Sequence, residues 1–444
     1  MEIYSVGGYS EVGKNMTVVD FGEDAFIFDA GLYIPAVIEL QEEESKDYGE
    51  RSLRNKGALP HDLILDKLGI RERVRAIFLS HAHIDHIGGV PYLGYRYNAP
   101  VLGSPFTISV LKKILEDDKK KISNKLIPVN VNSSYTIKGK KRTYRAEFIN
   151  MTHSTPQTTM IALHTHEGII VYGNDFKLDN SPVMGDPPNY NLLKKISKEG
   201  VRVAIMDSLY CGSYTKTPSE RVARSMVQEV LSGLHNEKTA IFVSTFSSHI
   251  ARHKSIVEFA KKLNREILFV GRSLTKYLAA ANNMNLTPFR KDIRTITYGN
   301  QVRSALKKVD KNREKYLVVC TGHQGEPGSV LERLSKNKLP FEFRNNDNVI
   351  FSSKTIPAAV NIKNKGIMDK QLRKLGVKIF DEVHVSGHGG REDLRELIKI
   401  LNPEHIIPSH GSVSMLSPMI ELTKELGYTS KETHLMHDGK KLIL

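Results

Sequence analysis

Six consecutive residues constrain this chain more than any others: His81-Ala82-His83-Ile84-Asp85-His86. They carry four metal-ligating side chains and follow a strongly apolar run, Val74-Arg75-Ala76-Ile77-Phe78-Leu79. That run reads as a buried strand. On an extended backbone residues i and i+2 share a face, so His81 and His83 can grip one ion. A turn at Ile84 presents Asp85 and His86 to a neighbouring point. One tetrahedral ion cannot easily use all four groups, because the second pair points away from the first. Two ions satisfy the geometry. Imidazole and carboxylate without thiolate suit zinc and tolerate manganese.

The same pattern of an apolar strand feeding a polar group recurs along the chain. Glu147 to Met151, Ile169 to Tyr172 and Val201 to Met206 read as strands leading to His153, Asp175 and Asp207. Thr17 to Asp20 and Ala25 to Asp29 are predicted strands around a turn at Gly22. The polar stretch Glu39 to Lys56 reads as a surface insertion or a mobile loop. From about Ser208 to Lys363 the rhythm becomes regular β-α. Strands are expected at Thr239–Val243, Ile267–Val270 and Tyr316–Cys320, and helices at His249–Leu263 and about Leu274–Ala281. This stretch predicts a separate parallel-sheet domain. The last part returns to the earlier style. A strand at Glu382–Val385 ends in Ser-Gly-His388-Gly-Gly, an amphipathic helix contains Leu394 to Leu401, and a strand at His405–Ile407 ends in Pro-Ser-His410-Gly. The expected divisions are 1–208, 209–363 and 364–444.

A length of 444 residues fits two to four domains, or one domain with a large insertion. A hydrophobic fraction of 40% excludes a disordered chain, and two cysteines exclude a disulfide scaffold. No run approaches the roughly 18 apolar residues of a membrane span, and Met1-Glu-Ile-Tyr-Ser lacks a signal pattern. A soluble cytoplasmic protein is expected, without a membrane partner. Lys+Arg total 64 against 49 Asp+Glu, a net charge of +15. Any one basic cluster, such as Lys119 to Lys121 or Lys138 to Arg142, reads as solvated surface. The total favours a polyanion, most simply nucleic acid.

The His-x-His-x-Asp-His run resembles the signature of the metallo-β-lactamase superfamily. Asp29, His153 and Asp175 match the rest of that pattern in order. Asp207, His388 and His410 resemble the three further motifs of its β-CASP branch, whose members act on nucleic acids. The resemblance implies a metallo-β-lactamase αβ/βα sandwich with an inserted parallel-sheet β-CASP domain. Finer motifs resemble the ribonuclease J family: Gly7-Gly-Tyr-Ser-Glu-Val-Gly13-Lys-Asn-Met16, Ser244-Thr-Phe-Ser247, Thr321-Gly-His-Gln-Gly-Glu-Pro327, Lys354-Thr-Ile-Pro357 and His384-Val-Ser-Gly-His388. Departures are His323, where serine is usual, and Asp207, where bacterial members commonly carry Glu. The sequence stops soon after His410, so the compact archaeal type is the nearest expectation.

By family role, two Zn2+ (or Mn2+) ions are implied. His81, His83, His153 and Asp175 hold one, and Asp85, His86, Asp175 and His410 the other. Asp85, His86 and His388 are the implied catalytic groups, with Asp29 and Asp207 in support. Two cations about 3.5–4 Å apart provide a nucleophile near neutral pH and neutralise charge on a phosphodiester. His388 is expected to donate to a phosphate oxygen. Ser247, Ser248 and His249 open a helix, where free N–H groups attract anions. With His384, Ser386, Gly387 and His388 they form the expected pocket for a 5′-terminal phosphate, though Ser248 also reads as a plain N-cap. The function expected is 5′→3′ exoribonuclease action on single-stranded RNA, preferring a 5′-monophosphate, with endonuclease action as a second mode. A homodimer is implied by resemblance only, and no small-molecule substrate is expected. The other readings are an endonuclease of the cleavage-and-polyadenylation type and a non-catalytic RNA-binding scaffold.

Overall fold

The computed structural model describes residues 1–42, 49–234 and 238–444. Among these, the strands form three sheets. The first contains β1 (Glu2–Gly7), β2 (Met16–Asp20), β3 (Ala25–Phe28), β4 (Val74–Leu79), β5 (Val101–Gly103), β6 (Leu126–Pro128) and β19 (Lys440–Ile443), in the order β19-β1-β2-β3-β4-β5-β6. The second contains β7 (Ser133–Lys138), β8 (Thr143–Asn150), β9 (Thr159–Thr165), β10 (Gly168–Gly173), β11 (Val201–Asp207) and β18 (His405–Ser409), in the order β18-β11-β10-β9-β8-β7. The third contains β12 (Ile241–Ser244), β13 (Glu266–Val270), β14 (Ile293–Ile296), β15 (Tyr316–Cys320), β16 (Asn348–Phe351) and β17 (Lys378–Phe380). Its order is β14-β13-β15-β12-β16-β17, and every pairing is parallel.

The first two sheets pack face to face because their strands are apolar on both sides. Phe26, Phe28, Ala76 and Phe78 meet Phe148, Ile161, Ile170, Tyr172 and Ile205 in the core between them. The alternate residues of the same strands face outward onto helices. Ile27, Ile77 and Leu79 join the core of the helix Pro105–Asp117, while Ile169 and Val171 join that of Tyr190–Glu199 and Arg391–Leu401. Four layers result, with the third sheet and its own helices forming the insert.

The insert is seated on the first domain rather than tethered beside it. Its helix Arg272–Asn283 shares a hydrophobic core with Pro105–Asp117 through Leu274, Tyr277 and Leu278. Both chain crossings meet one buried ion pair. Arg252, fully buried in the helix Ile250–Lys261, donates to both carboxylate oxygens of Glu220 at 2.7 and 2.9 Å. Glu220 opens the insert's first helix, Glu220–Gly233. The other arm of Arg252 donates to Ser352 O at 2.9 Å and to Val383 O at 3.2 Å, on the returning segment.

Three sequence expectations change. The insert does not close at residue 363: the helix Ala359–Lys374 and strand β17 continue its sheet to Phe380. A three-residue strand, Lys-Ile-Phe, is too short for its alternation to register in sequence. Glu382–Val385 is not a strand: among the described residues its one ladder-like hydrogen bond runs from Val383 N–H to Phe351 O at the end of β16, too little to extend the sheet. The polar stretch Glu39–Lys56 is partly helical: the helix Ile34–Glu42 runs into it and Glu50–Asn55 lies within it, and their Leu40 and Leu53 are buried in one cluster. Its centre, 43–48, lies outside the described residues. Among the described residues no helix is long and apolar enough to cross a membrane.

Candidate metal centre

Apart from Glu382–Val385, the strands that the sequence aimed at an ionisable residue end on one rim of the sandwich. Asp29 follows β3, His81 to His86 follow β4, His153 follows β8, Asp175 follows β10, Asp207 closes β11 and His410 follows β18. Parallel neighbours bring these ends together, β3 beside β4 and β10 beside β11 beside β18. Asp29, Asp175 and His410 each take a positive φ, of 59°, 60° and 66°. That region is sparsely populated for non-glycine residues and clusters at functional sites. Here it turns each side chain back over the strand ends.

The result is two groups of ligand atoms sharing one carboxylate. His81, His83, His153 and Asp175 form the first; Asp85, His86, Asp175 and His410 form the second. Within each group the ligand atoms lie within 4.8 Å of one another. Asp175 Oδ2 is 3.3 Å from both His81 Nε2 and His86 Nε2, and 3.6 Å from His153 Nε2.

Remote hydrogen bonds set the ring nitrogens. Ser80 Oγ donates to Asp29 Oδ2, so it accepts from His81 Nδ1 at 3.0 Å. His86 Nδ1 donates to Asp29 Oδ2 at 2.7 Å, and His153 Nδ1 to Gly387 O at 2.8 Å. Each of these rings therefore turns its Nε2 to the cluster, the arrangement that metal-bound histidines use. A Cβ on Gly387 would stand 2.9 Å from the His153 ring, so only glycine lets that carbonyl approach.

Burial holds the pKa of His81 down to about 3 and lowers that of His153 well below the usual imidazole value, which leaves both neutral. Burial opposes charge on Asp175 too, but His410 and His86 overcome it and keep the carboxyl ionised. Its Oδ1 is buried with no hydrogen-bond partner. The neutral rings of His81 and His153, beside an ionised carboxylate that has an orphaned oxygen, fit a divalent cation.

His388 and Asp207 stand beside this cluster. His388 Nδ1 lies 2.7 Å from Asp207 Oδ2, and Nε2 3.9 Å from Asp175 Oδ2. Burial disfavours a charged ring, yet the Asp207 and Asp175 carboxylates outweigh it and hold its pKa at about 9. The ring is a cationic donor at neutral pH, so the aspartate expected only to support the site orients this histidine.

The insert reaches the centre directly. Ser248 Oγ lies 3.0 Å from His83 Nε2, whose Nδ1 faces the cluster, and Tyr277 OH donates to Ala82 O at 2.9 Å. Ser247 is half-buried, 3.2 Å from Ser273 Oγ, and Ser386 Oγ accepts from His388 N–H.

His249 does not join the expected phosphate pocket. It is 2% exposed, its Nδ1 accepts from Arg252 N–H, and its Nε2 faces Glu220 at 3.4 Å. His384 keeps one free nitrogen. Burial and the Arg252 guanidinium push its pKa down to about 2, and its Nδ1 faces Arg252 at 3.3 Å. His323 packs edge-on against Phe246, ring centres 4.3 Å apart. Sequence reasoning missed Arg252, Glu220 and Tyr277. None lies in a ligand-spaced motif, and an Arg–Glu pair distant in sequence leaves no local signal.

Fold and site define a metallo-β-lactamase-type hydrolase with a β-CASP insertion. Residues 9–195 match the family model of the metallo-beta-lactamase superfamily, and 376–436 that of the Zn-dependent metallo-hydrolase RNA specificity domain. Residues 238–369 match the model described as ribonuclease J, beta-CASP domain. The chain is 40% identical to ribonuclease J of Methanocaldococcus jannaschii, covering 100% of this chain and 98% of that one. It is 38% identical to ribonuclease J of Pyrococcus abyssi over 99% and 96% of the two chains. Ribonuclease J 1 of Streptococcus pyogenes is 29% identical, covering 100% of this chain and 74% of its own. The chain therefore belongs to the ribonuclease J family, with metal-dependent ribonuclease chemistry. A crystal structure of a protein of unknown function from Enterococcus faecalis shares the fold, with a TM-score of 0.65 at 16% identity over 100% of this chain and 99% of that one.

Proposed function

We propose that the chain is a zinc-dependent 5′→3′ exoribonuclease that prefers single-stranded RNA with a 5′-monophosphate and binds two ions per chain. The carrying observation is the double ligand set joined at Asp175, with a serine of the insert 3.0 Å from a ligand histidine. His81, His83, His153 and Asp175 would hold one ion, and Asp85, His86, Asp175 and His410 the other. Such a pair supplies Lewis acidity and a nucleophile from water near neutral pH.

The chain's own groups do the rest. Asp85, the most accessible carboxylate of the set with 21% of its side chain exposed, orients the nucleophile. His388, kept charged by Asp207, donates from Nε2 to a non-bridging phosphate oxygen. Asp29 holds His86 in register. This chemistry requires no 2′-hydroxyl: the nucleophile displaces the ribose 3′-oxygen, which takes up a proton and leaves as a 3′-hydroxyl, so the shortened RNA keeps a 5′-phosphate.

Ser247, Ser248, His384, Ser386 and the Gly387–His388 loop line the terminal phosphate site. The helix Ile250–Lys261 adds its N-terminal N–H groups. His384 contributes an Nε2–H donor, because its Nδ1 is committed to Arg252. The domain reading is a first lactamase part to 208, the insert, and a closing lactamase part. The homodimer expected from resemblance and the cytoplasmic location expected from composition belong to the same proposal.

The test is digestion of 5′-labelled RNA bearing monophosphate, triphosphate or hydroxyl ends. Labelled mononucleotide released fastest from the monophosphate is the expected result. Longer labelled fragments from all three substrates would replace this reading with internal cutting.

A further inference from the structure

The loop between β1 and β2 carries a residue that the metal chemistry above does not use. Asn15 is 1% exposed and stands between the two histidines of the second ligand set. Its carboxamide orientation follows from its neighbours. The side-chain nitrogen lies 3.0 Å from Asp85 O, a carbonyl that can only accept, so the nitrogen must be there and the oxygen opposite. That oxygen lies 3.0 Å from His410 Nδ1 and also receives Asn174 Nδ2 at 3.5 Å. An amide oxygen only accepts, so His410 must carry its proton on Nδ1. In the neutral ring that binds a cation, Nε2 is then the bare lone pair, and it faces Asp85 Oδ2 at 3.9 Å. The amide nitrogen also reaches His86 Nε2 at 3.1 Å, so one carboxamide addresses both histidines of one site.

The loop is built to keep it there. Gly8 O accepts the N–H groups of His410 at 2.7 Å and Gly411 at 3.3 Å, tying the loop to the strand end that carries the ligand. Gly8 has φ +89°, and a Cβ on it would lie 2.4 Å from Asn15 Oδ1. Asn15 N–H also donates to Asp85 O at 3.0 Å. Three of the four residues of the second set thus touch Asn15 or its loop, whereas the rings of the first set take their orientation from Ser80, Gly387 and Ser248.

We infer that Asn15 is a positioning residue that selects the His410 tautomer and thereby governs loading of the second cation site, independently of the first. This rests on the two-cation reading of the centre. Partners of this kind typically change metal affinity by about 10–100-fold when removed.

The experiment measures zinc by mass spectrometry after dialysis against graded chelator, for the wild type and N15A. N15A is expected to retain one ion as tightly as the wild type and to bind the other about 10–100-fold more weakly. The double variant N15A/H410A should bind no less zinc than H410A, because Asn15 acts through His410. Equal zinc affinities in N15A and the wild type overturn the inference, and so does an additive loss in the double variant.

The second measurement is the 15N spectrum of the histidine rings in the metal-free wild type, which does not depend on N15A folding. His410 protonated on Nδ1 is expected, with N15A shifting it towards the Nε2–H form; a general loss of stability would not move this ratio. His410 protonated on Nε2 in the wild type overturns the inference. A wild type that binds a single ion overturns the two-cation reading instead, and the ring spectrum still decides the role of Asn15.

Discussion

The strand-end cluster and the serine-bearing edge of the insert differ in how they are built. In the cluster, ligand rings are locked from behind by groups of the same sandwich: Asp29, Ser80 and Gly387. At the insert edge, Ser247 lies beside a neighbouring serine, and the imidazoles nearby are held by the Arg252–Glu220 pair, with the His384 Nε2 left as a donor. His249 is committed to Glu220 and its own helix, and His384 shares Arg252. The cluster is organised before substrate arrives. The edge depends on how the insert sits, and that is set by the Arg252–Glu220 pair and the Tyr277 contact.

The contrast is broken most severely at the cluster. H86A or D85A should reduce RNA cleavage to the level of metal-stripped protein and leave RNA affinity largely intact, as read by turnover and by binding to uncleavable RNA. Loss of binding in parallel with turnover would mean that the cluster also builds the RNA surface.

Next in size is the clamp between the domains. R252M strands the buried Glu220 carboxylate and should destabilise the protein by about 3–5 kcal/mol in denaturant unfolding. Burial opposes the Glu220 charge, but Arg252 and His249 hold its pKa well below the ordinary 4.5. Its stabilisation is therefore complete above pH 4.5 and is lost as pH falls through the lower folded value. E220Q should flatten stability against pH on that acid side; an unchanged acid limb would place the linkage elsewhere.

The smallest effect belongs to the edge. S247A should slow release of 5′-mononucleotide by about 10- to 100-fold, the value of one hydrogen bond to a charged group, and affect internal cutting less. Equal losses in both assays would remove Ser247 from the terminal phosphate site.

Much of this was legible in the chain. The apolar strand before His81 and the matching strands before His153, Asp175 and His410 announce side chains aimed from strand ends, because sheet strands buried on both faces leave only their ends polar. The β-α rhythm announced the insert, and its first, second and fourth strands lie close to where they were expected. The weaker signals failed where the physics is non-local. β17 has three residues, and the segment after it makes a single ladder-like hydrogen bond, Val383 N–H to Phe351 O. The roles of Ser248 and His249 also depend on the neighbouring domain: one stands against His83, while the other is buried with Glu220.

By itself the sequence determined the ligand inventory and the alternation that buries strands and exposes their ends, since both follow from residue type and spacing. Only the tertiary structure decided which nitrogen of each ring faces inward, that Asp207 keeps His388 charged, and that Asn15 lies between His86 and His410. Those outcomes depend on hydrogen-bond partners tens to hundreds of residues away, whose approach is set by packing two sheets and an insert rather than by any local pattern.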